Sequence, residues 1–217
     1  EYERYSQAQK VMPSDHAHQN FQQISAYTKN LLTQQVLAES VNLAVTAINN
    51  AHYFLSLVKN SQGARQVSPE LQKVAQDAQE AFMATPLEEK FNLIEQRFGI
   101  MCELEDSILG MGLSINALLY QDGEVGEEQL NQEGELIIEL KAIGPIQPSE
   151  NDLRATGRRL LDQRKIFRKG DEIQFSDNEL QLSIITIASF ANSLFKAVEH
   201  YANATDIKSK NNNRQSL

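Results

Sequence analysis

Four histidines, one cysteine and a scatter of carboxylates are the side chains with which this chain of 217 residues could do chemistry. Asp15, His16 and His18 stand together in "DHAH". Their types suit a transition metal, but alternate residues on a helix point to different faces and no fourth ligand accompanies them. The expectation there is a solvated segment. A di-iron site inside a helical body needs Glu-x-x-His pairs. His52 is preceded three residues earlier by Asn49 and His200 by Ala197, so neither pair exists. His52 falls beside an apolar seam, where a hydrogen-bonded flank residue is expected.

Glu105 is the carboxylate that periodicity could bury. A strict continuation of Leu87, Phe91, Ile94, Phe98 and Met101 places it inside, where desolvation would raise its pKa. A seam through Leu104, Ile108 and Met111 leaves it on the flank, and the cost of burying an unpaired charge favours that path. Cys102 stands in an apolar helical run, where a thiol is inert packing. No Gly-x-Ser-x-Gly elbow occurs, and "GMG" at Gly110–Gly112 lacks the Lys-Ser/Thr of a phosphate loop. Close packing or a local kink is its expected role. Asn203 in "NAT" satisfies a glycosylation sequon, which has meaning only in a eukaryotic secretory context. No catalytic residue, cofactor or metal is assigned, and an enzyme is the least supported class.

Charge segregation is the strongest local signal. Residues 154–169 hold seven bases against one acid, and residues 122–140 hold seven acids and no base. A phosphate-binding face is one use of such bases, with Phe167 available for stacking. Pairing of the two segments with each other, in a helical hairpin or across an oligomer, is preferred. The overall charge of −9 also argues against nucleic acid. Arg154, Arg158, Arg159, Arg164, Lys165 and Arg168 form one candidate interaction surface.

These residues must be positioned by helices, because prolines are few and Ala, Leu, Glu and Gln are plentiful. A first long helix is expected from about Ser14 to Lys59, with Leu37, Val41, Ala44, Ile48, Ala51, Leu55 and Val58 on one face. Ser68 and Pro69 open a second helix, and Thr85, Pro86 and Glu88 a third. The stripe from Leu87 continues through Ile108, Met111, Ile115 and Leu118 as one long element. Residues 127–143 are read as helix, although "ELIIEL" would also suit a strand. Another helix is expected from Glu150 to Arg168, with Ser149 and Asp152 as its capping box. Ser176 and Glu179 box the start of a last long helix.

The predicted fold is all-α: an elongated antiparallel helical bundle of three long and two or three shorter helices. Residues 1–13 form an N-terminal extension, 14–207 one domain, and 208–217 a disordered polar tail. Within the first helix, residues 34–58 contain a single charged side chain, Glu39. Asn42, Thr46 and Asn49 occupy the side where a soluble helix carries Lys and Glu, which makes them a second candidate contact surface.

The function expected is that of a non-enzymatic interaction protein: an adaptor, chaperone-like accessory or assembly subunit, of the kind found in bacterial secretion or toxin systems. A protein partner or homo-oligomer is implied, without nucleic acid. The second hypothesis is a membrane-active helical protein such as a pore-forming toxin component, for which the last helix is the best candidate for insertion. A helical ligand sensor is third. One cysteine excludes an internal disulfide, and the cytoplasm is preferred over secretion without disulfides.

Overall fold

A computed structural model describes residues 21–61, 68–121, 123–145 and 158–215. Among these the chain is mostly helical and carries one small two-stranded sheet. "DHAH", Arg154, and the Ser149 and Asp152 cap lie outside the described residues.

Helix α1 spans Phe21–Ser61 and is 41 residues long, about 60 Å at the α-helical rise. Leu37, Val41, Ala44, Ile48, Ala51 and Leu55 are buried along it, at the seam spacing expected. Helix α2, Pro69–Met83, starts at Ser68, whose Oγ accepts from the Leu71 N–H at 3.3 Å. Such a cap is worth about 1 kcal/mol. Helix α3 covers Leu87–Phe98. Thr85 does not cap it: its hydroxyl donates to the Phe82 carbonyl at 2.7 Å and closes α2 instead.

The single long element expected over residues 87–120 is two helices. Gly99 adopts φ 68° and receives the end of α3, a left-handed position that glycine takes without a Cβ penalty. Leu104, at φ 65°, precedes α4, Glu105–Tyr120. Helix α5, Asp177–Gln215, opens on the expected box: the Ser176 N–H donates to Glu179 Oε2 at 2.7 Å and the Glu179 N–H to Ser176 Oγ at 3.3 Å. It continues into the polar stretch expected to be disordered.

The helices expected at 127–143 and 150–168 are replaced by an antiparallel pair, β1 (Glu135–Pro145) and β2 (Arg158–Arg168). Among the described residues of the acidic segment, only a short 3-10 turn, Glu127–Gln129, is helical. The correction follows from side-chain period. Leu136, Ile138 and Leu140 are buried while Glu135, Ile137 and Glu139 are partly exposed, an alternation of two that a helix cannot place on one face. An all-α description therefore holds for most of the chain and fails at this hairpin.

Contacts fix the directions of the helices. Lys29 pairs with Asp177 at 2.9 Å, and Ala51 and Phe54 share a cavity with Phe195 and Val198. Helices α1 and α5 therefore run parallel, not antiparallel. Helix α2 folds back on α1, with Gln79 and Phe82 against His52. The core is one cluster in which Phe91 and Phe190 meet edge to face at 5.9 Å between α3 and α5.

Gly110 sets the seat of α4 on the sheet. A Cβ there would fall well inside van der Waals contact with the Ile137 carbonyl oxygen. Part of "GMG" thus serves close packing, against a strand rather than a helix.

Candidate interaction surface

The pairing register explains the charge segregation. Glu135 stands opposite Arg168, Ile137 opposite Ile166, Glu139 opposite Arg164 and Lys141 opposite Asp162. All eight fall on one face, since partners in an antiparallel ladder share a side and alternate residues share a face. Three charge-matched pairs thus flank one isoleucine pair. The expectation that the acidic and basic segments face each other holds, in strands rather than helices. Arg168 comes within 3.6 Å of Glu135. Glu139 turns instead to Lys141 at 2.5 Å, a pair that holds the Lys141 pKa above its ordinary value. Arg164 is exposed and has no ion pair among the described residues.

The opposite face packs inward. Phe167 is buried, and Lys165 donates to Glu179 at 3.0 Å and to the Gln174 carbonyl at 2.5 Å. Lys165 is thereby a structural lysine, tying β2 to the start of α5. Its partner carboxylate, Glu179, is held below the ordinary carboxylate range: hydrogen bonds from Ser176 and Lys165 outweigh the opposing effect of burial.

The outer edges of the two strands differ. On β1 the main chain of Glu135 bonds Asn131, the Ile137 carbonyl faces Gly110, and Lys141 meets Thr186. The fully buried Thr186 Oγ1 accepts from the Lys141 N–H at 2.9 Å and shares its own proton between the carbonyls of Lys141, at 2.9 Å, and Leu182, at 2.8 Å. These odd-numbered β1 residues point away from β2. By the same alternation Asp162, Arg164 and Ile166 point their N–H and C=O groups away from β1. Arg168 obeys the rule, its N–H donating to Asp171 Oδ2 at 2.7 Å. Among the described residues, the main chains of Asp162, Arg164 and Ile166 have no partner on that edge.

Of the remaining predicted contact residues, Arg158 and Arg159 lie at the far end of β2, opposite Pro145 and Gly144. Asn42 and Thr46 are exposed on α1, whereas Asn49 is half-buried beneath α2, where its carbonyl accepts from Gln79 Nε2 at 2.9 Å. The stripe is therefore split, and its neighbours matter more. Leu32, Leu43 and Phe54 are 59%, 66% and 46% exposed. Their spacing of eleven residues is just over three helical turns, so they share one face. Ile184 and Phe195, 44% and 54% exposed, repeat that spacing on α5. Phe54 and Phe195 meet across a cavity of about 540 Å³ lined also by Tyr53, Val198 and Ala202. The core seam expected along α1 leaves this second stripe out, although its eleven-residue spacing is visible in the sequence.

His52 is fully buried and satisfied. Its ring stacks on Phe82 at 3.8 Å, Nδ1 lies 2.8 Å from Gln79 Oε1, and Nε2 lies 3.4 Å from an Arg97 nitrogen. Because Gln79 Oε1 and the Arg97 N–H are fixed in role, the consistent form is neutral with the proton on Nδ1. Burial pushes its pKa down, and Arg97 and Lys90 add to that. Glu105 lies half-exposed on the flank, with its pKa raised by burial and by Asp106, Glu95 and Glu88. Cys102 is pushed up to about 12 by burial and neighbouring carboxylates, which leaves a poor nucleophile. Among the described residues no group of three or more His, Cys, Asp or Glu side chains is placed to hold a metal. The chain matches no family model, no curated protein and no solved structure.

Proposed function

We propose that the chain is a non-enzymatic interaction protein, an adaptor, accessory or assembly subunit, whose elongated helical bundle presents an apolar groove to an amphipathic helix of a protein partner. The observation that carries this is the paired stripe Leu32, Leu43 and Phe54 on α1 with Ile184 and Phe195 on α5, left exposed on two parallel helices. Scattered apolar residues on a surface are ordinary, but aligned ones on adjacent helices make a groove with the spacing a third helix needs. Nucleic acid is set aside on charge: Arg168 and Arg164 of β2 stand opposite Glu135 and Glu139 of β1, and the whole chain is negative.

Affinity capture with the wild type and with a Phe54→Asp/Phe195→Asp variant tests the proposal. A specific protein held by the wild type and released by the variant is the expected result. Equal recovery on both baits, or none on either, contradicts it.

A membrane-active role is the second proposal, favoured by one observation. Asp177–Thr205 of α5 is long and apolar enough to cross a bilayer, and only 33% of its most apolar stretch is buried. Leakage of dye from liposomes, measured between pH 5 and pH 8, would support that role, and intact liposomes throughout would remove it.

A further inference from the structure

We infer that the free edge of β2 is a docking site for an extended, acidic segment of a partner protein, which would add to the hairpin as a third strand. The site lies on a different element from the helical groove and stands whether or not that groove is occupied.

Among the described residues, the outward N–H and C=O groups of Asp162, Arg164 and Ile166 along this edge have no partner. An unpaired strand edge is a template for an incoming strand, whose main-chain bonds give affinity while its side chains give specificity. The other edge of the sheet is bonded to Asn131 at Glu135 and to Thr186 at Lys141, and is crowded by Gly110 of α4 at Ile137, which obstructs an incoming strand there. Charge selects the occupant. Strand β2 carries five bases, Arg158, Arg159, Arg164, Lys165 and Arg168, against the one acid Asp162. A second copy of β2 would bring the same excess of positive charge alongside and be repelled, which is how basic edges resist self-pairing. An incoming strand with carboxylates on the side of Arg164 and Arg168 would be attracted instead, and Ile166, 47% exposed, offers it an apolar contact between them.

A peptide of four Glu-Val repeats, titrated against the full chain at low salt, tests this, with a Lys-Val peptide of equal length as control. Glu-Val is expected to bind, with affinity falling as salt rises, and Lys-Val at least tenfold more weakly. Ile166→Pro removes an edge N–H that β1 does not use, so the hairpin is retained and Glu-Val affinity falls at least tenfold. Arg164→Glu inverts the preference between the two peptides. Slow amide exchange at Leu136 and Ile138 reports that each variant keeps its β1 pairing. No binding of either peptide, equal binding of both, or unchanged affinity in both variants would overturn the inference. Self-association of the wild type that Ile166→Pro abolishes would also overturn it, in favour of a second copy.

Discussion

Helix α1 and the β1–β2 hairpin leave opposite kinds of surface open to the proposed partners. Residues 34–58 of α1 carry almost no charge, and what they leave in water is an apolar stripe, Leu43 and Phe54, flanked by Asn42 and Thr46. The hairpin carries charges on either side of its outer isoleucine pair, and its β2 edge also leaves main chain in water. A helix satisfies its own backbone, so only its side chains remain to recognise another molecule. A strand at an edge keeps half its backbone unpaired, so charge on its side chains both guards that edge and chooses what joins it. The difference teaches that a low-charge helix and a strand edge leave surface open for different physical reasons, one through side chains and the other through main chain.

The contrast can be broken at the points that hold the hairpin to the helices. Gly110→Ala should have the largest effect. The added Cβ meets the Ile137 carbonyl, so α4 must shift off β1 at a cost of about 3 kcal/mol, read as a lowered urea midpoint. Thr186→Val keeps the shape but strands the Lys141 N–H and carbonyl, costing about 2 kcal/mol. Faster amide exchange at Lys141 would localise that loss.

His52 sharpens the helical side. Its folded pKa lies below its ordinary 6.5, so the unfolded chain binds the extra proton first. Its contribution is fully present above pH 6.5 and is lost as pH falls from there through the folded pKa. Urea midpoints compared for wild type and His52→Phe should converge across that window, because the variant lacks the component. The smallest effect belongs to the outer face. Arg164→Glu places like charges opposite Glu139 and should cost no more than about 1 kcal/mol. Adding Glu139→Arg should return most of it, a recovery that two unrelated surface positions would not show.

Much of the helical framework was legible in sequence. The α1 seam, the Ser68 cap, the Ser176 and Glu179 box, and the path that leaves Glu105 on the flank all follow from spacing and capping chemistry. The break at Gly99–Leu104 was hidden because the apolar stripe continues across it, and only the left-handed glycine interrupts the helix. The hairpin was hidden because Leu136–Leu140 is short enough to fit either period. Yet its register was written in the charges: Glu135, Ile137, Glu139 and Lys141 meet Arg168, Ile166, Arg164 and Asp162 in reverse order. Such a mirror of opposite signs between two segments is evidence for an antiparallel ladder, which helical periodicity alone cannot supply. Arg97 above His52 and Thr186 at the strand edge had no local signal, since each acts on a residue about forty-five positions away.

Residue-resolved amide exchange across β2 tests the hairpin and its open edge together. Gln163, Lys165 and Phe167 point their N–H groups at β1 and should exchange slowly, while Asp162, Arg164 and Ile166 should exchange rapidly. That alternation is the predicted result. Uniform protection along 162–167, as a helix or an edge already covered would give, contradicts it.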